Sequence, residues 1–376
     1  MTEKKNICIT INSLGPGGAE KQSLLLAKAL KHDHNIVLVI LNAQPVYQPR
    51  LVFIENEEIQ HIYLSNNPIK KVVGFTKFLK KRKIDVIFSF LPKDSVLSAI
   101  CGKVAKTPYI FGGIRNSHLE RVKFFTLKLI NNHLLNYTIA NNYAAYSSSI
   151  DFGFKDKVFV IPNGIEIRPI PKKENLNKNL ITIISLGRLV DQKDYETAIR
   201  SIAHLRRILD KKYSIKYKIV GQGAGKESIV DSIKKHDVMQ EVELITNATG
   251  IYDLLDSSDI YLCTSKFEGI SNSIMEAMNS GLPIVATDAG DNSRLVLDGK
   301  NGLITKIGAY KEIAKHLVSL SESPELRDRM GNLSYDHLRD NFSYEAFQKK
   351  YLSLIENIHS FKIQNGNIGS IKNEEV

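Results

Sequence analysis

The order of apolar and polar segments predicts an α/β protein made of two doubly wound parallel sheets. Three observations carry this. Short apolar runs that read as strands alternate with longer amphipathic runs that read as helices, and the alternation occurs twice. A length of 376 residues exceeds one ordinary core, at about 150 residues per domain, and asks for two. Between the two series lies PNGIEIRPIPKKENLNKNL, Pro162 to Leu180, whose Pro, Asn and Lys content marks a connector. Regular alternation means βαβ units with right-handed crossovers, hence parallel sheets of Rossmann-like form.

In the first half, the β-branched run Asn6 to Ile11 reads as a strand, Ala19 to Leu30 as a helix and Asn35 to Leu41 as a second strand. A helix from about Ile69 to Lys83 leads into the strand Asp85 to Phe90. A helix from Asp94 to Lys103, a strand at Tyr109 to Gly112 and a helical stretch from His118 to Leu135 follow. In the second half, Ile181 to Leu186, Tyr217 to Val220, Val242 to Ile245, Ile260 to Cys263 and Ile284 to Thr287 read as strands. Glu196 to Leu209, Glu227 to His236, Ile251 to Ser257 and Ser273 to Ser280 read as helices, the last closed by Gly281 and Pro283. The expected domains are 1–165, 166–345, and a C-terminal helix with a loose tail at 346–376.

Composition narrows the class. Apolar content of 43% and charged content of 24% are those of a globular chain. No run of about 18 apolar residues is present, so no membrane span is expected, and the N-terminus does not read as an export signal. Cys8, Cys101 and Cys263 lie far apart without ligand spacing, which argues against zinc and disulfides and fits a reducing cytosol. Charge is unevenly placed. Residues 1–165 hold 22 Lys and Arg against 11 Asp and Glu, whereas residues 166–376 hold 29 of each. The first half is therefore expected to meet an anionic partner.

The most informative stretch is Lys266 to Asn301, KFEGISNSIMEAMNSGLPIVATDAGDNSRLVLDGKN. Glu268 would stand on the loop after a buried strand, and Glu276 in the first turns of the next helix. Backbone N–H groups of Gly269, Ile270, Ser271, Asn272 and Ser273 would point between them, where the helix dipole is positive. Carboxylates beside a phosphate cradle suit a ligand with both hydroxyls and phosphates, such as a nucleotide sugar. The plain alternative is a capping box formed by Ser273 and Glu276, which needs no ligand.

Four other segments bear on function. SLGPGGAEKQ, Ser13 to Gln22, joins the first strand to the first helix, and its glycines allow close backbone approach to a ligand. It is neither a dinucleotide fingerprint nor a Walker A loop, which argues against an NAD-dependent dehydrogenase. Arg188 and Lys193 follow a strand directly, where two cations can meet a diphosphate, although loops often carry Arg and Lys without a ligand. Gly221 and Gly223, in VGQGAG, read first as backbone necessities. Lys70 to Lys83 and Arg121 to Ile130 mix cations with apolar residues at helical spacing. Such helices suit a membrane surface, while an ordinary stripe facing the sheet explains the same periodicity. Nucleic acid is not expected, because the basic stretches lack a binding module.

Together these blocks resemble the E-x7-E retaining glycosyltransferases of the GT-B fold, specifically glycosyltransferase family 4 (group 1), from about residue 6 to residue 355. The resemblance implies two Rossmann-like domains facing across a cleft. It implies a donor set of Gly17, Gly18, Arg188, Lys193, Gly221, Glu268, Gly269, Ile270, Ser271, Asn272 and Glu276, with Arg188 and Lys193 on the diphosphate and Glu276 on the ribose. His118, Glu268, Arg188 and Lys193 are the implied catalytic residues, and Arg115 and His118 the implied acceptor contacts. Three positions depart from the pattern: Asp194 stands where many relatives have glycine, Thr246 replaces a glycine beside the base, and Arg294 replaces a glutamate. Asp tolerates left-handed backbone better than most residues, so the turn at 194 can survive.

The expected function is thus retaining hexosyl transfer from a nucleotide sugar, read as UDP-linked, to a glycan or lipid-linked acceptor in bacterial capsule, O-antigen or glycolipid synthesis. The resemblance implies that no cofactor and no metal are needed, and the sequence agrees on the metal, since no Asp-x-Asp occurs in the chain. The expected place is the cytoplasm, peripheral to the inner face of the plasma membrane, with an anionic membrane surface as a partner. Two rivals are a sugar-nucleotide epimerase of similar fold, which would turn over donor alone, and a non-catalytic nucleotide-sugar-binding protein.

Overall fold

The computed structural model describes residues 3–115, 121–170, 179–359, 362–364 and 366–369. The chain forms two units, one made of residues 1–164 and 344–376 and the other of residues 165–343.

The first unit contains strands β1 (Asn6–Ile11), β2 (Asn35–Ile40), β3 (His61–Tyr63), β4 (Val86–Ser89), β5 (Tyr109–Ile114), β6 (Tyr137–Ala140) and β7 (Val158–Val160). Between them run α1 (Gly18–Leu30), α2 (Gln48–Asn56), α3 (Pro68–Lys81), α4 (Pro92–Ala105), α5 (Arg121–His133) and α6 (Tyr143–Asp151). The seven strands are parallel in the order β3-β2-β1-β4-β5-β6-β7. Each central strand is buried on both faces, which explains its nearly continuous apolar sequence. One face packs α1, with Leu26 and Leu30 fully buried. The other packs α3, α4 and α5 through Phe75, Leu79, Ala99, Phe124 and Leu127.

The second unit contains β8 (Leu180–Leu186), β9 (Ser214–Val220), β10 (Val242–Ile245), β11 (Ile260–Cys263), β12 (Ile284–Thr287) and β13 (Gly302–Thr305), parallel in the order β10-β9-β8-β11-β12-β13. Its helices are α7 (Tyr195–Ile208), α8 (Lys226–Lys235), α9 (Ile251–Asp256), α10 (Asn272–Met278), α11 (Asn292–Leu295), α12 (Tyr310–Glu322) and α13 (Pro324–Phe342). Helix α7 shows why such a segment folds. Ala198, Ile199, Ile202 and Leu205 line one face and are buried, while Arg206 and Arg207 sit in the last turn, where the dipole favours cations.

The last helix, α14 (Tyr344–Glu356), is part of the first unit's core. Phe347, Tyr351 and Leu354 are buried there, and the Phe88 and Tyr351 rings meet edge to face at 5.5 Å. The segment expected as a separate appendage from residue 346 thus supplies one wall of the first domain. Beyond it, β14 (Lys362–Gln364) and β15 (Asn367–Gly369) form an antiparallel hairpin, and Gly366 O accepts from Val160 N at 2.7 Å. Residues expected to be loose therefore cover an edge strand, where unpaired backbone groups would otherwise face water.

Candidate functional site

In the second unit the winding direction reverses between β8 and β11. Open α/β sheets take ligands outside the carboxyl ends of the strands at such a point, because the following loops diverge there. The loop after β8 carries Arg188 and Lys193, and the loop after β11 carries Glu268.

These loops are joined. Lys193 Nζ lies 2.5 Å from Glu268 Oε1, and the same oxygen accepts from Ser265 Oγ at 2.7 Å. Gln192 Nε2 donates to Phe267 O at 2.8 Å, and Thr264 Oγ1 lies 3.0 Å from the carbonyls of both Lys193 and Asp194. The Lys193 and Glu268 side chains are only 14% and 9% exposed, so neither charge is well hydrated. Burial pulls the Lys193 ammonium down, but the Glu268 carboxylate outweighs it, and the group is held above the ordinary lysine pKa. Arg188 differs. Its guanidinium is exposed, with Nη2 only 3.3 Å from Gln192 Oε1.

Two glycines make the close approach possible. A Cβ on Gly221, after β9, would stand 1.8 Å from Gly187 O. A Cβ on Gly290, after β12, would stand 2.0 Å from Glu268 O, and φ there is +61°. Asp194 adopts the left-handed conformation (φ +48°) and also caps α7, its carboxylate accepting from Thr197 Oγ1 at 2.7 Å. The turn at this departure from the family pattern is thus kept.

Helix α10 begins at Asn272 with Ser271 as its N-cap, Ser271 Oγ lying 3.4 Å from Ile274 N. This corrects the capping-box alternative. Ser273 is already inside the helix, and Glu276 sits in its second turn, where it cannot cap that end. Ile270 and Ser271 are buried, Gly269 and Asn272 half-buried. The structure therefore brings Arg188, Lys193, Gly221, Glu268–Asn272 and Glu276 to one end of one sheet. Cys263 lies beneath them, and its thiol is pushed up first by burial and then by Glu268, so it stays protonated. Arg294 Nε lies 3.8 Å from the buried Asp291.

In the first unit the winding reverses between β1 and β4. Gly17 caps α1, and Gly17 O accepts from Arg50 Nη2. Arg115, after β5, donates to Asn163 Oδ1 at 3.1 Å and stacks over Phe90 at 4.8 Å. Burial lowers its pKa to about 10, which leaves it charged. Nearby, the buried Asp94 accepts from Phe90 N and Leu91 N, both at 2.9 Å, while burial raises its pKa to about 7. His118 lies outside the described residues.

Sequence reasoning missed Ser265, Gly290 and Asp94. Ser265 and Gly290 both bear on Glu268, through a hydrogen bond and through close backbone approach, and neither has a local signature. Asp94 had a readable one, since an acidic residue just inside a helix that follows Leu-Pro is a capping signal.

Residues 166–337, nearly the whole second unit, match the family described as glycosyl transferases group 1. The chain is 25% identical over 373 residues to an uncharacterized glycosyltransferase of Methanocaldococcus jannaschii, covering 88% of this chain and 84% of that protein. It is 24% identical over 349 residues to the Campylobacter jejuni N-acetylgalactosamine-N,N'-diacetylbacillosaminyl-diphospho-undecaprenol 4-alpha-N-acetylgalactosaminyltransferase, covering 86% of this chain and 92% of that enzyme. Among solved structures, HepE of Anabaena in complex with UDP and glucose superposes with a TM-score of 0.82 at 18% identity, covering 94% of this chain and all of that one. The chain is a glycosyltransferase of the GT-B fold.

Proposed function

We propose that this glycosyltransferase is a retaining enzyme of family 4 that moves a hexosyl group from a UDP-sugar to a lipid-linked glycan in bacterial surface polysaccharide or glycolipid synthesis. The observation that carries the donor site is the Lys193–Glu268 pair at the switch point of the second sheet. The UDP and glucose in the Anabaena complex support the donor class, and the undecaprenol-linked substrate named for the Campylobacter relative supports the acceptor class. Membrane-bound acceptor would be met at the inner face of the plasma membrane. Among the described residues no helix is long and apolar enough to cross a membrane.

In this reading, the exposed Arg188 guanidinium takes the donor diphosphate, and the backbone of residues 269–272 with Glu268 takes the sugar. Glu276 takes the ribose. The bond between the anomeric carbon and the diphosphate oxygen breaks, and a bond from that carbon to the acceptor oxygen forms. The nucleoside diphosphate leaves with the electron pair, and its departing oxygen takes the proton that the acceptor hydroxyl gives up. Negative charge grows on the departing diphosphate, so fixed cations and N–H dipoles lower the barrier by being in place beforehand. Arg188 is free to do this, while Lys193 holds Glu268 in position and adds its field. No metal is assigned a role.

The test is a thermal-shift series with UDP, GDP, ADP and NAD on the wild type and on Arg188→Ala. A ligand that binds only the folded state raises the melting temperature. Stabilisation by UDP that is lost in the variant is the expected result; stabilisation by NAD alone overturns the reading. Transfer from a UDP-sugar to a lipid-linked acceptor, with the product's anomeric configuration read by NMR, then tests retention.

A further inference from the structure

We propose that the Tyr261 hydroxyl is a positioning group for the donor site, tying the end of β8, which carries Arg188, to the first turn of α10. The proposal rests on the donor reading above, in which Arg188 meets the diphosphate and residues 268–272 meet the sugar. Tyr261 lies in β11 and is 1% exposed. It sits in the core of the second unit among Ile184, Leu186, Ile274 and Met275, where a phenylalanine ring would fill the same space. A hydroxyl in such surroundings costs free energy unless it is bonded, so its bonds identify its use.

Those bonds go to two places. The β8–β11 ladder pairs Ile183 with Ile260 and Ile184 with Tyr261, and it ends there. The Tyr261 side chain then serves the end of β8, its Oη lying 3.4 Å from Leu186 N and 3.3 Å from Leu186 O. Leu186 is the last residue of β8 and stands two before Arg188. The same hydroxyl bonds the side chain of Ser273 in α10. Ser273 Oγ lies 3.1 Å from Oγ of Ser271, the N-cap, which in turn lies 3.4 Å from Ile274 N. One orientation gives every proton an acceptor: Ser271 donates to Ser273, Ser273 to Tyr261, and Tyr261 to Leu186 O. The second lone pair of the phenol oxygen then accepts from Leu186 N.

This chain of hydroxyls runs from the diphosphate arm of the site to the sugar arm by a route separate from the Lys193–Glu268 pair. A donor gripped at both ends binds best when the spacing of the two arms is set before it arrives, because ordering them on binding subtracts from affinity. Another buried tyrosine supplies the comparison. Tyr217 of β9 is fully buried, and its Oη lies 2.8 Å from Ser185 Oγ, which lies 2.5 Å from Leu262 O. These bonds lie within the sheet, between β9, β8 and β11. Tyr217 thus shares the burial and the chemistry of Tyr261 without the bridge to α10.

The experiment is calorimetric titration of UDP-glucose into the full chain, with a urea titration of each protein alongside. It uses the wild type, Tyr261→Phe, Ser273→Ala, the double variant of these two, Tyr217→Phe and Arg188→Ala. Tyr261→Phe and Ser273→Ala should each weaken binding about fivefold, the worth of one ordinary hydrogen bond. The double variant should bind no more weakly than either single one, because both remove the same contact. Tyr217→Phe should lose stability and bind as the wild type does. Unchanged affinity in Tyr261→Phe or additive losses in the double variant overturns the proposal. So does an equal loss in Tyr217→Phe, since affinity would then follow stability alone. Ser273 is only half-buried, so Ser273→Ala set against Tyr217→Phe decides the matter even where Tyr261→Phe fails to fold. Binding that survives Arg188→Ala, or no binding by the wild type, removes the donor reading and the proposal with it. Binding lost in Arg188→Ala and kept in Tyr261→Phe removes the bridge alone.

Discussion

Lys193 and Glu268, separated by 75 positions, meet at 2.5 Å in a region where water reaches neither charge well. Breaking a buried pair on one side leaves the other charge without a partner, which costs roughly 3 to 5 kcal/mol. Glu268→Leu should therefore destabilise strongly in urea titration. The double variant Lys193→Met/Glu268→Leu should recover most of that loss, because no charge is stranded. Both variants should be inactive in transfer. Equal stability of the single and double variants would show that the pair is not coupled in solution.

Gly290 lets the chain after β12 pass Glu268. Ala there would put Cβ 2.0 Å from Glu268 O at a φ of +61°, so the clash adds to backbone strain. Gly299 is a control, with φ +72° and nothing within 4 Å of an added Cβ. Gly299→Ala should cost about 1 to 2 kcal/mol from left-handed strain alone. Gly290→Ala should cost more and weaken UDP-sugar binding at least tenfold by calorimetry, whereas Gly299→Ala should leave binding unchanged.

The central strands were legible because parallel strands buried on both faces read as continuous apolar runs, as Ile260–Cys263 and Ile284–Thr287 do. The short edge strands β3 and β7 have three residues each, too few for a period. Helix α13 was missed because its exposed surface is crowded with charge, and only its packing decides its fate. The return of Phe347 and Tyr351 to the first unit is a tertiary event that no local pattern encodes. At the site, Glu268 and Lys193 were legible as types and positions. Their contact was not, since it depends on β8 and β11 being neighbours. Ser271 rather than Ser273 is the N-cap of α10, a choice between two nearby serines that the local sequence leaves open.

Asp94 gives the first unit a pH dependence of known sign. Burial raises its pKa to about 7, whereas an unfolded aspartate titrates at 3.8. The folded state thus holds more protons between these values. Its contribution is fully present below the unfolded pKa and is lost as pH rises through about 7. Asp94→Asn should flatten the fall in melting temperature between pH 4 and 7. It should also cost about 1 to 3 kcal/mol at low pH, because the amide group cannot accept from both Phe90 N and Leu91 N. An unchanged slope in the variant would remove Asp94 as its source.

Asp194 does two things that pull apart under substitution. It adopts a left-handed backbone at φ +48°, which costs roughly 1 to 2 kcal/mol for a residue with a Cβ, and it caps α7 through Thr197. Ala keeps the strain and loses the cap, and a lost cap costs about 1 kcal/mol. Gly loses the cap as well, but at such a position it is only a few tenths of a kcal/mol worse than a capping residue, and it relieves the strain. Asp194→Gly should therefore be as stable as the wild type or more so, while Asp194→Ala should be clearly weaker in urea titration. Because Lys193 precedes this turn, any loosening should appear as weaker UDP binding in the Ala variant first. If Gly proves as damaging as Ala, the carboxylate's bond to Thr197 outweighs the strain, and the cap is what holds Lys193 against Glu268.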